Sequence, residues 1–220
     1  MNREIRITAD GSATLFVPEL NEHYHSIYGA VQESKHVFIE AGLGAVSTKI
    51  PRVLEFGFGT GLNALLTAMQ SSHFTAVHYH ALELYPLEWE QVNEMGYAEF
   101  LSLNEDYSLM FEAMHTAAWK QWIRLKPVFF LKKEQISFTE FTPSDQYDLV
   151  YFDAFAPDVQ PESWNESIFR ILFDALNEKG ILVTYCAKGE IRRRMRRSGF
   201  TVERLPGPPG KMEMLRARKQ

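Results

Sequence analysis

The residues best suited to chemistry in this sequence stand in and directly after one glycine-rich stretch, Arg52–Asn63. An apolar run ends at Glu55 and Phe56, and glycines then alternate with other residues at positions 57, 59 and 61. Because glycine has no Cβ, it allows a sharp turn and a close approach of the backbone to a ligand. From Leu62 onward the apolar residues take helical spacing. A strand that leads through such a turn into a helix predicts a site for a nucleotide-like cofactor, since free N–H groups at the helix start face it.

The spacing of these glycines discriminates between nucleotide-like cofactors. It differs from the G-x-G-x-x-G pattern of dinucleotide-binding proteins, and the sequence contains no G-x-x-x-x-G-K-[ST] phosphate loop. The pattern E-x-G-x-G-x-G resembles motif I of the Rossmann-like S-adenosylmethionine (SAM) methyltransferases. That resemblance implies SAM as the cofactor, bound by Glu55, Gly57, Phe58, Gly59, Thr60, Gly61 and Asn63. A glycine-rich turn with a purely structural role is the alternative.

The residues after position 45 alternate between two kinds of apolar pattern. Short apolar runs predict strands near 53–56, 76–82, 128–131, 147–152 and 181–185, and helical spacing predicts helices near 62–70, 86–95, 104–124, 163–177 and 190–198. Such alternation is typical of an α/β fold with a doubly wound, mostly parallel sheet. Two further strands, near 200–205 and 212–217, are expected to close the sheet as an antiparallel pair. We therefore predict a Rossmann-like class I fold with seven strands.

The first 45 residues precede this alternation. Residues 4–17 alternate between polar and apolar around Asp10-Gly11, which predicts a β-hairpin. A helix with an apolar face is expected over residues 30–41. We predict a small hairpin-and-helix appendage at 1–45 and a SAM-dependent methyltransferase domain at 46–220.

Acidic residues stand at the predicted carboxyl ends of the strands, where open α/β sheets bind their ligands. Glu83 ends the second strand, about twenty residues beyond the glycine turn, where a carboxylate binds ribose hydroxyls. At the end of the third strand, Glu134 or Gln135 is expected to contact adenine. Asp153 follows four apolar residues, and an ionised carboxylate there costs free energy unless it has a partner or a function. We expect Asp153 to act on both cofactor and substrate, and Phe155 to shape the loop over the reacting methyl group.

Composition and cysteine count limit the classes of protein to which this sequence can belong. Hydrophobic residues make up 45% of the chain, as in a folded protein, and no apolar run approaches the ~18 residues of a membrane span. The single cysteine, Cys186, cannot form an internal disulfide, so a cytoplasmic location is expected. His78 and His80 share a strand face, but without cysteine or a nearby carboxylate in the sequence they do not predict a metal site.

The net charge of −5 is distributed unevenly along the chain. Residues 179–220 carry +9, whereas the preceding residues carry −14. Five arginines occupy the six positions 192–197, and they repel one another unless phosphate or carboxylate groups pair with them. Arg192, Arg193, Arg196 and Arg197 are therefore predicted to contact nucleic acid. A solvated helix face is the alternative.

Several motifs in order resemble the methyltransferase domain of the MnmC family. They are Glu55–Asn63, the loop Asp153–Pro157 with Trp164 seven positions later, the segment Y-x-S-x-x-G-x-x-x-E-S-x-x-V-F that begins at Tyr24, G-F-x-V at 199–202, and residues 210–215 near the end. Ala154 departs from the D-G-F-A-P loop that is usual in the family. The resemblance extends over about residues 20–217.

This family completes the 5-methylaminomethyl group on 2-thiouridine at the wobble position of certain tRNAs. The resemblance implies a SAM-dependent N-methyltransferase that acts on a primary amine, with the anticodon region of tRNA as its partner and with no membrane or metal requirement. It also implies a catalytic role for Glu33 and substrate or RNA contacts for Tyr24, Trp164 and Lys211.

Two alternatives share the predicted fold: an aminopropyltransferase-like enzyme, and an RNA-binding module without catalysis. Bifunctional MnmC members carry a second, flavin-dependent oxidoreductase domain, whereas this sequence stops at Gln220. We therefore expect any flavin-dependent step to be carried by a separate protein.

Overall fold

The computed structural model describes residues 2–220. It begins with an antiparallel ribbon of β1 (Glu4–Ile7) and β2 (Ala13–Val17), with a short strand β3 (Glu22–His23) beside β2. The turn between β1 and β2 contains Gly11 at a φ of +85°, a left-handed conformation that glycine adopts without steric cost. The predicted hairpin is confirmed, and β3 is an additional strand that the sequence pattern did not indicate.

Helix α1 (Ala30–Ser34) follows the ribbon and continues as a π-helical turn over Lys35–Glu40. Its buried side chains, Val37 and Phe38 among them, belong to the same hydrophobic cluster as the first helix after the glycine turn. The N-terminal segment thus packs against the central sheet layer, and its separation at residue 45 stays a prediction.

The remaining residues alternate between strands and helices, as the sequence pattern predicts. In chain order the elements are β4 (Arg52–Phe56), α2 (Leu62–Met69), β5 (Val77–Glu83), α3 (Trp89–Asn93), α4 (Tyr97–Phe100), α5 (Glu105–Thr116), β6 (Ile123–Lys126), β7 (Phe129–Gln135), β8 (Tyr147–Phe152), α6 (Glu166–Ala175), β9 (Leu176–Thr184), α7 (Gly189–Arg197), β10 (Thr201–Pro206) and β11 (Glu213–Arg218). Among residues 2–220, no helix is both long and apolar enough to cross a membrane.

Eight strands form the main sheet, in the order β10-β11-β9-β8-β4-β5-β7-β6. The central strands β9, β8, β4, β5 and β7 are parallel, and the outer pairs β9–β11, β10–β11 and β6–β7 are antiparallel. Buried residues cover both faces, since alternate side chains of β4 belong to two different hydrophobic clusters. The mostly parallel, doubly wound α/β fold is confirmed.

The expected count of seven strands is wrong because of β6. The sequence predicts one helix over residues 104–124, but α5 ends at Thr116 and Ile123–Lys126 forms an edge strand beside β7. Between them Lys120 has a φ of +64°, a left-handed conformation that breaks helical geometry. Apolar residues with accidental helical spacing extended the predicted helix too far.

Two other predicted helices are shorter in the structure. Residues 86–95 contain only α3 (Trp89–Asn93), and α6 begins at Glu166 after a 3₁₀ turn over Pro161–Trp164. The helix α6 ends where β9 begins, at Leu176. These differences concern element ends, where local propensity is weakest, and leave the topology unchanged.

The strand register places three functional positions at one level of the sheet. Phe56 of β4 pairs with Leu82 of β5 and with Phe152 of β8. The next residues along the three strands, Gly57, Glu83 and Asp153, therefore share the carboxyl edge. Because the chain leaves β4 toward β5 on one side and returns through β8 on the other, this edge lies where the strand order reverses, the usual ligand position in such sheets.

Candidate active site

A cavity of about 530 Å³ opens at this carboxyl edge. The glycine turn, Glu83, and Ser137 and Phe138 after β7 line one side of it. The other side is lined by residues of the N-terminal segment 20–28, by Glu33, and by Tyr185 and Lys211 from the end of the chain; Asp153 also lines the cavity. The cavity thus joins a region suited to a nucleoside with a second region that contains carboxylates and an ammonium.

The backbone of the glycine turn lies where a side chain would not fit. Gly57, Gly59 and Gly61 have φ values of +96°, +49° and +73°. A Cβ on Gly57 would lie 2.6 Å from the carbonyl oxygen of Asp153, and a Cβ on Gly61 would lie 2.7 Å from Nε2 of His115. Glycine is therefore required here both by conformation and by close contact.

Glu83 is held rigidly beside the turn. One carboxylate oxygen accepts a hydrogen bond from the backbone N–H of Gly59 at 2.9 Å, and the other accepts from the N–H of Tyr85 at 2.8 Å. Each oxygen keeps a lone pair for another donor. A carboxylate fixed in this way can accept hydrogen bonds from the hydroxyl groups of a ribose without losing side-chain entropy.

Asp153 has an unusual protonation equilibrium. Burial, and then the nearby Glu33, raise the pKa of Asp153 to about 7, while the Asn63 hydrogen bond and the Lys211 charge act in the opposite direction. Nδ2 of Asn63 donates to Oδ2 of Asp153 at 2.8 Å and fixes the orientation of the carboxyl group. A carboxyl group with a pKa near neutrality can both accept and release a proton at physiological pH.

The buried carboxylate of Glu33 forms an ion pair with the partly exposed ammonium of Lys211, and both residues line the cavity. Nζ of Lys211 lies 2.5 Å from Oε1 of Glu33 and 4.0 Å from the ring centroid of Tyr185. The second oxygen of Glu33 accepts from the backbone N–H of Ser26 at 2.8 Å. The carboxylate of Glu33 and the aromatic face of Tyr185 together stabilise the ammonium group of Lys211.

A model of the S-adenosyl-L-methionine-dependent methyltransferase family matches residues 80–220, more than half of the chain. The chain belongs to this family. The predictions of a methyltransferase and of SAM as its cofactor are thereby confirmed.

Curated relatives of this methyltransferase have a common name. The tRNA 5-methylaminomethyl-2-thiouridine biosynthesis bifunctional protein MnmC of Delftia acidovorans is 26% identical over 99% of this chain and 35% of its own length. The protein of that name from Magnetococcus marinus is 32% identical over 92% of this chain and 32% of its own length. The methyltransferase thus spans about a third of the length of these relatives.

Solved structures support the same fold. MnmC2 from Aquifex aeolicus has a TM-score of 0.78 and 24% identity, covering 98% of this chain and 70% of that protein. Spermidine synthase from Thermotoga maritima has a TM-score of 0.56 and 15% identity, covering 99% of this chain and 69% of that protein. Both likenesses show a shared fold.

The cavity fits SAM. Its glycine turn has no Cβ atoms in the way of a bound nucleoside, and Glu83 faces the cavity beside it. We expect Gly57, Phe58, Gly59 and Thr60 to surround the cofactor and Glu83 to bind its ribose. Of the other predicted residues, those that line the cavity are Tyr24, Glu33, Asn63, Asp153, Phe155 and Lys211.

Several predicted cofactor residues do not line the cavity. Glu55 is completely buried. The backbone N–H of Gly61 donates to the carbonyl of Phe58, and a Cβ on Gly61 would meet the side chains of His115 and Phe58. Glu134 forms an ion pair with Lys132 at 2.5 Å. Its Oε1 also lies 3.1 Å from Nε2 of His80, a buried imidazole whose pKa is lowered to about 4 chiefly by burial.

Gln135 lies at the exposed end of β7, and its amide donates weakly to the carbonyl of Leu84. Shortly after the strand, Ser137 and Phe138 line the cavity, because β7 continues beyond its apolar run. The adenine contact of Glu134 or Gln135 stays a prediction.

Trp164 is also buried outside the cavity lining, where it supports the loop Asp153–Pro157. Its indole Nε1–H donates to the carbonyl of Phe155 at 2.7 Å, and the hydroxyl of Tyr185 donates to the carbonyl of Ala154 at 2.8 Å. The ring of Phe155 packs edge-on against Tyr24, with centroids 5.1 Å apart. The loop is therefore fixed on both sides. Tyr185 was not predicted, although its position just after β9 follows the same strand-end rule that identified Glu83.

The arginines of α7 lie outside the cavity and are partly neutralised within the protein. Glu190 pairs with Arg193 at 2.8 Å and with Arg197 at 3.6 Å, and Glu166 pairs with Arg197 at 2.7 Å. Within residues 2–220, no carboxylate lies at ion-pair distance from Arg192 or Arg196. The predicted repulsion among the arginines therefore applies chiefly to these two.

Proposed function

We propose that this methyltransferase transfers a methyl group to the primary amine of 5-aminomethyl-(2-thio)uridine at the wobble position of tRNA. The observation that carries the proposal is the position of Asp153, which faces the cavity beside the cofactor turn and close to the Glu33–Lys211 pair. An amine that enters between these groups meets a hydrogen-bond acceptor next to the methyl donor. The names of the curated relatives, which refer to tRNA 5-methylaminomethyl-2-thiouridine biosynthesis, support this choice of acceptor.

The acceptor amine has to react through a free lone pair. When bound, SAM supplies a methyl group on a positively charged sulfur. Asp153 accepts a hydrogen bond from the amine and takes up a proton, for which the pKa of about 7 of its carboxyl group is suited. The fixed ammonium of Lys211 disfavours a second positive charge nearby and so favours the neutral amine. Holding the reactants in line contributes on the order of 7–11 kcal/mol to the barrier reduction.

The cavity also offers surfaces for the nucleobase. Tyr24 and Phe155 present aromatic rings that line it, and Tyr28 is half exposed at its rim. Single-stranded bases that leave their stack are commonly bound on aromatic side chains. We propose that these rings hold the modified uridine while its aminomethyl group points toward Asp153.

The test is a reconstituted reaction with purified protein, SAM, and tRNA that carries aminomethyl-(2-thio)uridine. Mass spectrometry of the nucleosides should show a gain of one methyl group at the wobble position. Aminopropyltransferase activity, which the likeness to spermidine synthase keeps open, predicts instead the consumption of decarboxylated SAM with a polyamine acceptor. Tight tRNA binding without any transfer would favour the third alternative, a non-catalytic RNA-binding module.

Arg192 and Arg196 are proposed to contact tRNA phosphates. If each neutralises one phosphate, the Arg192→Ala/Arg196→Ala double variant should bind tRNA more weakly and flatten the log–log salt dependence by about one to two units. Affinity for SAM should stay unchanged, since neither residue lines the cavity.

The matched control for this arginine pair is Arg193→Ala/Arg197→Ala, which removes charges that Glu190 and Glu166 already offset. We expect a smaller change in slope for this control. Equal slopes for the wild type and both double variants, measured by fluorescence anisotropy, would assign the arginines to a solvated helix face.

A further inference from the structure

The acid of the glycine motif, Glu55, is a buried group for which the proposed reaction has no use. Its side chain is 0% exposed, and within residues 2–220 neither carboxyl oxygen has a hydrogen-bond partner. Oδ1 of Asn63 and the hydroxyl of Tyr79 are likewise buried without a partner. Four unsatisfied polar atoms in one region are costly, and native proteins rarely leave such groups unpaired without a reason.

Strand register and helix position bring these atoms together. Val53 pairs with Tyr79 and Glu55 pairs with Ala81, so the side chains of Glu55 and Tyr79 are diagonal neighbours on one face of the sheet. Asn63 lies in the first turn of α2, whose buried residues share a hydrophobic cluster with Val53 and Tyr79. Tyr79 and Asn63 are therefore both neighbours of Glu55, and Asn63 in turn contacts Asp153.

A proton on the carboxyl group of Glu55 would supply the donor that this group of side chains lacks. If Glu55 were a carboxylate, it and Oδ1 of Asn63 would face each other as two acceptors. Burial and the neighbouring Asp153 raise the pKa of Glu55 well above its usual range. Asn63 and Tyr79 act in the opposite direction on this pKa, although neither contact reaches full hydrogen-bond geometry in the structure. In its neutral form, Glu55 has both a donor and an acceptor to offer these groups.

We propose that Glu55 is a positioning residue that, as a neutral acid, donates to Oδ1 of Asn63 and accepts from the hydroxyl of Tyr79. One directional chain then satisfies all four atoms and fixes the Asn63 amide with Nδ2 toward Asp153. An ionised Glu55 would attract Nδ2 instead, and Oδ1 would then turn toward the acceptor oxygen of Asp153. The motif acid thus orients Asp153 through Asn63, and it does so without contacting the cofactor.

The effect of this arrangement on turnover rests on the proposed role of Asp153, whereas the arrangement itself can be measured without any reaction. Titration of ¹³C-labelled aspartate carboxyl groups by NMR follows Asp153, which the Asp153→Asn variant assigns. Charged and titratable groups that face Asp153 are Glu33 and Lys211, together with Tyr185. Those that face Glu55 are Asp153, Tyr79, Glu83 and Tyr151. All of these are the same in the Glu55 variants.

Glu55→Gln keeps an N–H to donate to Asn63 and a carbonyl oxygen to accept from Tyr79, so the titration midpoint of Asp153 should match that of the wild type. A fall in the midpoint would mean that a negative charge had been removed, and would overturn the neutral-acid assignment. Glu55→Met removes the donor to Asn63, and its midpoint should rise by about one pH unit because Asp153 loses a fixed hydrogen bond. A wild-type midpoint in Glu55→Met would overturn the positioning role.

Asn63→Ala removes the amide itself and should raise the midpoint as much as Glu55→Met does. It tests the link from Asn63 to Asp153 even if the methionine variant does not fold, and an unchanged midpoint in Asn63→Ala would contradict the proposal. The neutral-acid assignment is then decided by Glu55→Gln. Single-turnover methyl transfer in the same variants should shift its acidic limb in parallel with the NMR midpoint. If the protein methylates no tRNA, the NMR result still stands, so failure of the proposed function is distinguishable from failure of this inference.

Discussion

Asp153→Asn is expected to lower single-turnover methyl transfer by about 10²- to 10⁴-fold, the range for loss of a general acid–base group. The variant keeps the shape of the side chain and can still accept from Nδ2 of Asn63, so it should still bind SAM. It cannot accept a proton from the amine. The wild-type rate should rise with pH through about 7 as the carboxyl group ionises, and the variant should lack this limb. Rapid-quench assays across this pH range give both results.

Thermal unfolding of Asp153→Asn shows whether a loss of activity reflects a loss of folded protein. Because the pKa of Asp153 is raised in the native protein, the folded state binds this proton more tightly than the unfolded chain does. The contribution of Asp153 to stability therefore falls as pH rises from 3.8, the unperturbed value, to about 7. At pH 8 the asparagine variant should unfold at the same temperature as the wild type or a higher one. A fully folded variant with near-normal turnover would show that Asp153 is structural.

Gly57→Ala is expected to reduce SAM affinity at least about tenfold and to destabilise the protein by about 1–3 kcal/mol, the usual cost of local backbone strain. Its Cβ would lie 2.6 Å from the carbonyl oxygen of Asp153, and its φ of +96° disfavours any L side chain. Since the contact is with backbone, relief requires movement of either the turn or the Asp153 loop. Both line the cavity, so stability and cofactor binding should fall together.

The matched control for this glycine is Gly189→Ala, at the start of α7. A Cβ there would meet only the flexible end of Arg193, at 3.5 Å. Calorimetry with SAM and urea denaturation should show wild-type values for this control. Wild-type SAM affinity in a folded Gly57→Ala protein would show that the glycine turn is not part of the cofactor site.

The sequence by itself determined the fold class, the cofactor and the position of the glycine turn. Strand and helix periodicities depend on local residue order, and a glycine at positive φ is a local requirement, so both were visible without coordinates. Glu83 and Asp153 were found because each directly follows an apolar strand, and the ends of parallel strands meet at one edge.

The tertiary structure alone decided which polar groups face one another. Glu55 lies two residues before Gly57, yet its strand position leaves it completely buried and outside the cavity lining, because side chains alternate between the two faces of a sheet. Lys211 reaches Glu33 across 178 residues of sequence, and Glu166 pairs with Arg197 across 31 residues. Charge pairing and burial depend on distances through space, and those distances are set by how the elements pack together.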